Sequence, residues 1–337
     1  MNANELIDGA EAYFRERYEK IVDFPFVTRP TIWICDHEAP ASRRCRFCER
    51  GPSEAVTFRL KAHAGPELLG SKTIRTKNEC DECNRRFGTG IESHLGNRLA
   101  FVRSVTQVKG KNGAPSYENP SRSMKITHPR GKQTFTLTDK SLFDKALASK
   151  GEAFSFDLPA DAMSMMHVPS EAFKALIKIA CSVCPLGELP ECRPAIHWIM
   201  TGSRPYISNH LVVRTFTSGP GDAFTSKVIL LRRKQPGQEP YMWCILQVLN
   251  HSFQFFVPFC PSDTAIMKAG TVSIPAWPYR PDNIPLQLPH DTFDYWKEDW
   301  SSTQEEQISI KAGFHVQKAW VVNGPNTSEE LREDGSR

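Results

Sequence analysis

No stretch of this chain approaches the ~18 consecutive apolar residues that a membrane-spanning helix needs, so the sequence is not expected to cross a bilayer. The first 25 residues set Leu6, Ala10, Phe14, Tyr18 and Ile21 among Glu, Asp, Arg and Lys, which excludes a signal-peptide core and predicts an amphipathic helix instead. The C-terminal half has no P-loop, nucleotide-binding fingerprint or nucleophile elbow, so nothing there points to phosphate-cradling or serine-hydrolase chemistry. Internal repeats are absent. There is also no long polybasic run and no basic stripe interleaved with aromatics, so sequence-specific base readout is not expected. The chain reads as cytoplasmic, with its cysteines reduced.

What is present begins with size: 337 residues with 40% apolar content can bury two cores, and two domains are expected. Four of the ten cysteines form two matched pairs, Cys45-Arg46-Phe47-Cys48 and Cys80-Asp81-Glu82-Cys83. Two CxxC turns can present four sulfurs to one tetrahedral Zn²⁺ at ~2.3 Å each. The bland alternative, four free buried thiols, does not account for the matching. The segment between the knuckles carries one histidine, His63.

Val56 to His63 alternate strictly, with Val56, Phe58, Leu60 and Ala62 on one face and Thr57, Arg59, Lys61 and His63 on the other, which predicts a half-buried strand. Gly65-Pro66 ends it, Gly70-Ser71 marks a turn, and Lys72–Lys77 can return as a second strand. Asn84 begins an expected helix that Gly96 would stop. Strand, strand and helix follow in order, clasped by the metal.

Together, Cys45-x2-Cys48, Lys61-Ala62-His63-Ala64-Gly65-Pro66-Glu67 and Asn78-Glu79-Cys80-Asp81-Glu82-Cys83-Asn84 resemble an HNH endonuclease of the ββα-metal (His-Me finger) class, in the variant with a four-cysteine structural zinc, as found in bacterial restriction and defence proteins. The resemblance covers roughly residues 35–110. It implies a nuclease in which His63 is the general base, Asn78 orients it, and Asn84 holds a catalytic Mg²⁺ or Mn²⁺. An imidazole has the intrinsic pKa for that task, and a hard cation neutralises charge on a pentavalent phosphate. Many such proteins place a second ligand immediately before the base, where this chain has Ala62. Glu92 is the first expected replacement, reached if the helix breaks at Gly88 or Gly90. Glu67 is the second, and His94 is a further option. Against these roles stand plain ones: a surface histidine, Asn84 as a helix cap, Asn78 as a turn residue and Glu92 as a solvated glutamate.

Residues 41–110 carry fourteen Lys and Arg against seven Asp and Glu, a net of +7, while the whole chain is +4, so the remainder sums to −3. Basic charge gathers where phosphates would bind, with Arg59, Lys61, Arg85 and Arg86 as the expected DNA contacts.

The expected fold class is therefore α+β: an N-terminal zinc-stabilised module in residues 1–125 (core 40–105), then a mixed domain over 126–325 with helices and an antiparallel sheet, then a disordered tail, 326–337. Residues 109–129 read as a linker or long hairpin. Strands are expected at Thr134–Leu137, Ala153–Leu158, Leu211–Thr217, Lys227–Arg233 and twice within Met242–Pro258, bent at Asn250-His251-Ser252. Helices are expected at Lys140–Lys150 and from Pro169 to before Pro185. The expected function is metal-dependent cleavage of DNA, with the second half recognising a defence-system partner or signal. The competing reading is an inactive zinc module that binds nucleic acid or a protein. Cys181-x2-Cys184 with Cys192 and His197 is read as apolar packing and not as a second metal site.

Overall fold

The structure is a computed structural model that describes residues 3–27, 29–54, 56–138, 154–203, 210–217, 225–263, 275–278 and 293–310, with shorter pieces between 141 and 148 and between 313 and 330. Helix α1 (Ala3–Arg17) passes directly into strand β1 (Tyr18–Pro25), so the helix expected over residues 1–25 ends at Arg17. Two three-residue strands, β2 (Ile32–Ile34) and β3 (Ile74–Thr76), pair in parallel. Helices α2 (Asp81–Thr89) and α3 (Ile91–Arg98) follow, and then α4 (Ala100–Val105). Gly96 lies inside α3 and does not stop it.

The segment expected to be a linker or hairpin is a hairpin: β4 (Tyr117–Glu118) and β5 (Met124–Thr127) pair, and β6 (Thr134–Leu137) adds a third strand. Beyond β7 (Phe154–Asp157) come α5 (Pro169–Val183) and α6 (Leu189–Thr201). Strands β8 (Leu211–Thr217), β9 (Lys227–Arg233), β10 (Met242–Val248), β11 (His251–Phe256) and β12 (Phe293–Asp299) then complete a six-stranded sheet with β1, in the order β1-β9-β10-β11-β8-β12. Every neighbouring pair in it is antiparallel. Short β13 (Gly313–Val316) pairs with β7. Most of the helix expected at 140–150 and of the tail from 326 lies outside the described residues, although Ser328–Glu330 pair with Trp320–Val322 as strands.

Tyr18 and Ile21, read as helical, belong to the sheet because β1 pairs along its length with β9, from Tyr18 opposite Arg233 to Pro25 opposite Lys227. The strand period then sorts side chains by face. On β9, Ile229 and Leu231 meet Phe14 and Tyr18 beneath α1, while Val228 and Leu230 face the main core. On β10, Trp243 and Ile245 take the first side, and Met242, Cys244 and Leu246 take the second.

The second face is covered by α5, which is buried almost all round, with Glu171 and Lys174 its only partly exposed residues. A helix at the surface would bury one stripe. Here α5 is central: α6 and the sheet pack on one side, and α3 with the cysteine knuckles packs on the other. The main core therefore joins Cys45, Cys80, Phe87 and Leu95 to Phe173, Leu176, Leu246 and Trp300. The boundary expected near residue 125 does not divide the packing. The molecule is a mixed α and β structure with antiparallel sheets and a four-cysteine cluster toward its N-terminus.

Candidate metal centre and the His63 loop

Each knuckle is fixed by its own backbone. Cys45 N–H donates to the Arg50 carbonyl and Glu49 N–H to the Cys45 carbonyl, closing the first turn, while Arg46 N–H donates to Asn78 O at 2.7 Å and ties it to the second. Cys80 caps α2, its sulfur accepting from Cys83 N–H, and Cys80 N–H points at Cys45 Sγ, both at 3.5 Å. Cys45, Cys48, Cys80 and Cys83 bring their sulfurs within 4.8 Å of one another, with Cys48 and Cys80 at 3.7 Å. Tetrahedral zinc at ~2.3 Å from each ligand sets sulfurs about 3.8 Å apart, so the set could hold a zinc ion. The N–H···S contacts suit thiolates. Hydrogen bonds from the Cys45 and Cys83 thiols hold the Cys80 thiol far below its ordinary pKa, and that sharing pushes Cys45 up to about 12. Among the described residues no other group of this kind occurs, and Cys181, Cys184 and Cys192 are buried in the main core.

The segment preceding His63 is not the strand its alternation predicts. Thr57 O accepts from Asp81 N–H, and the Asp81 carboxylate accepts from Thr57 Oγ1 (2.6 Å), Arg59 N–H (3.1 Å) and Leu60 N–H (2.8 Å). The backbone donors are satisfied by the first residue of α2 and need no partner strand. Val56 and Ala62 are buried, as the alternation requires, but Leu60 is 45% exposed. Pairing begins only at Ala62: Thr76 N–H donates to Ala62 O, Ala64 N–H donates to Ile74 O, and His63 bridges Arg75.

His63 is half-buried, and its Nδ1 lies 3.1 Å from the Ser71 carbonyl. A carbonyl only accepts, so Nδ1 carries the hydrogen and Nε2 the lone pair. Burial holds the imidazole below its ordinary pKa; the Glu67 carboxylate opposes this, and Arg75 and Lys178 reinforce it. At neutral pH it is an unprotonated base.

The expected helpers divide. Asn78 is not the orienting residue: its Oδ1 accepts from Asp36 N–H, and the contact at His63 Nδ1 belongs to Ser71. Asn84 is not the cap of α2, a position that Cys80 fills; it stands one turn in, half-exposed, with no side-chain hydrogen bond among the described residues. The expected break comes at Gly90, where a Cβ would meet Arg86 O at 2.8 Å, and it turns α3 away from α2. Yet Glu92 is not offered to an ion, because it binds Lys178 Nζ at 2.9 Å. His94 Nδ1 accepts from Val168 N–H and is structural. Glu67, expected as the second-choice ligand, is half-exposed and acts electrostatically on His63. The basic residues Arg59, Lys61, Arg85 and Arg86 are all exposed, and Arg86 also donates to the Met200 carbonyl at the end of α6.

Two features went unread in the sequence. Lys178, 1% exposed on α5, lies between Glu92 and Glu79 (3.1 Å from Glu79 Oε2), with His63 O at 3.5 Å. Burial alone would lower its pKa, but the two carboxylates more than offset that and keep it charged. Arg46 is likewise buried. It pairs with both Asp36 oxygens at 2.6 Å and donates to the Cys181, Ser182 and Cys184 carbonyls at the C-terminus of α5, where a cation is favoured. A lysine inside an otherwise apolar helical run was the signal available for the first. Arg46, inside a CxxC turn, gave none.

Compared with known proteins, the chain matches no family model, no curated protein and no solved structure. Among its described residues no helix is long and apolar enough to cross a membrane.

Proposed function

We propose that the clasp and the His63 loop form a zinc-stabilised phosphodiesterase site of the HNH type that acts on DNA. The observation that carries this reading is the state of His63. It is neutral through burial, and its Nδ1 is committed to Ser71, so Nε2 is left to take a proton from water. The four sulfurs hold zinc and fix α2 against the loop. Arg59, Lys61 and Arg85 supply exposed positive charge for phosphates.

A divalent ion beside His63 finds no donor in Ala62 and no free carboxylate in Glu92. Asn84 and Glu67 remain, an amide and a carboxylate oxygen of the type Mg²⁺ or Mn²⁺ accepts. When bound, the ion would neutralise charge building on the phosphate. The chain's own residues have separate tasks: Ser71 fixes the tautomer, His63 receives the proton, and Glu67 opposes the cationic neighbours that would otherwise depress its basicity further. The Glu92–Lys178 pair also favours a second reading, a zinc module that binds nucleic acid without cutting it. A setting in restriction or anti-phage defence is part of the proposal, with the C-terminal half recognising the partner or signal.

Plasmid nicking with Mg²⁺ or Mn²⁺ tests it. His63→Ala should lose about 10²–10⁴-fold in rate with zinc content and melting unchanged. The acid limb of the wild-type pH profile should fall below pH 6.5, because the folded pKa lies under that value. Equal cutting by both proteins would leave the binding module as the surviving reading.

A further inference from the structure

Beside the loop lies a cavity of about 160 Å³ walled by Trp33, Phe58 and Leu60, with Arg43, Arg59, Lys61 and Lys77 around them. Trp33, on β2, is 44% exposed, and Leu60 is 45% exposed. Large apolar side chains left together in contact with water mark a binding surface. Here the surround is cationic, and phosphates carry the charge complementary to it.

Strand register connects this wall to His63. Arg75, on β3, is the partner of Trp33 across the parallel pair and of His63 across the antiparallel bridge. Residues directly opposite each other project from the same face of a sheet. Burial agrees with this: Ile74 and Thr76, which flank Arg75, and Ala62 and Ala64, which flank His63, are all turned inward. Trp33, Arg75 and His63 therefore stand in one row on the open face. Two strand spacings place the backbones of Trp33 and His63 about 10 Å apart. Arg75 fills the interval, with its guanidinium 5.8 Å from the centroid of the Trp33 ring and its charge helping to keep His63 neutral. Lys77 approaches the same ring at 5.5 Å.

A row of indole, guanidinium and imidazole suits one kind of ligand. An indole stacks any nucleobase, because every base has a π-face, and a guanidinium binds phosphate through paired N–H donors. In a duplex each base face is covered by its neighbours in the stack, so an exposed indole gains nothing there. A nucleotide outside a duplex offers the face.

We propose that this face selects unpaired nucleic acid: the base of one single-stranded nucleotide stacks on Trp33 at the cavity, and Arg75 holds the neighbouring phosphate beside His63. Arg43, Arg59, Lys61 and Lys77 engage the backbone on either side. Stacking and phosphate contacts are blind to base identity, so the preference is for single strand over duplex and not for a sequence. This substrate class rests on the nucleic-acid reading of the same module.

The test is equilibrium binding of a short mixed-sequence oligodeoxynucleotide and of its blunt duplex to the full chain carrying His63→Ala, so that cleavage cannot interfere, with fluorescence anisotropy as the readout. At matched salt the single strand should bind about tenfold more tightly than the duplex, the size of one stacked base. Trp33→Ala, at an exposed position, should weaken the single strand about tenfold and the duplex less than about twofold, and Trp33→Phe should recover most of that loss. Arg75→Gln should flatten the salt dependence of single-strand binding by about 0.7 unit of log–log slope, the share of one phosphate. Tighter binding of the duplex, equal weakening of both forms by Trp33→Ala, or no weakening by it overturns the stacking site while leaving a nucleic-acid module in place. An unchanged slope in Arg75→Gln overturns the phosphate contact. No binding of either form at low salt overturns both readings.

Discussion

The six-stranded sheet and the cysteine clasp are held together by opposite means. In the sheet, β10 buries all seven residues from Met242 to Val248, because α1 covers one face and α5 the other. Around the clasp the strands are three residues long, the two helices behind the second knuckle have nine and eight residues, and the side chains buried between them include Arg46, Glu79, Asp81 and Lys178. Neither such strands nor such short helices persist alone in water. The sheet thus stands on apolar area, and each truncation costs a cavity. The clasp stands on partners, and each truncation strands a buried charge or removes one of four sulfurs that could hold a zinc ion. Damage should therefore be graded by removed volume in one region and by abandoned countercharge in the other.

The largest expected effect comes from the sulfurs. Cys45→Ser or Cys83→Ser should release zinc, whose binding free energy in structural sites is about 10–16 kcal/mol and is largely folding free energy. Hydrogen exchange should show residues 45–98 losing protection well before β9 to β11. Wild-type protein purified without zinc, or a Cys83→Ser variant with unaltered exchange, would sink the metal account. Equal loss of protection in the sheet would show that the shared core makes the two regions one cooperative unit.

Next in size is Lys178→Met. It leaves Glu79 and Glu92 without their cation, and removing one member of a buried pair costs about 3–5 kcal/mol. Leu246→Ala, fully buried in the sheet, serves as the apolar counterpart and should cost about 2–5 kcal/mol. The two separate on rescue: Lys178→Met should recover stability when Glu92→Gln is added, whereas Leu246→Ala should be indifferent to it. Urea unfolding of wild type, the three single variants and the two double variants settles this. Additive effects at 178 and 92 would mean that the pair contributes nothing as a pair.

The same contrast explains what could be read without coordinates. β8 and β9 were legible to the residue, and α5 nearly so, because their burial is decided by period and by punctuation such as Pro169 and Pro185. The knuckles were legible because metal ligands carry their own spacing. Failures collect where a distant side chain overrules the local pattern. Asp81 takes the backbone donors of residues 59 and 60 and abolishes a strand that the alternation at Val56–His63 promised. β9 draws Tyr18 and Ile21 out of a helical pattern. Lys178 comes from 86 positions beyond Glu92 to occupy a carboxylate assigned to an ion. No window of sequence contains both members of those pairs.

The smallest expected effect concerns charges with no ion pair among the described residues. Arg59 and Lys61 are exposed and line the cavity beside the loop, so they are available to phosphates. Arg86 has the same charge on the neighbouring helix, but its guanidinium donates to the Met200 carbonyl at 2.6 Å. A cation engaged with phosphate contributes about one unit to the slope of log K against log salt, because it releases about one counterion. Arg59→Ala/Lys61→Ala should therefore flatten the slope for duplex DNA by about two units at unchanged stability. Arg86→Ala should leave the slope within about half a unit and should lower stability by about 1 kcal/mol, as loss of one charge-assisted contact does. If Arg86→Ala flattens the slope as much as either of the other positions does alone, DNA lies across α2 and displaces the Met200 contact. The clasp would then exchange one of its internal partners for the ligand, a behaviour for which the sheet has no equivalent.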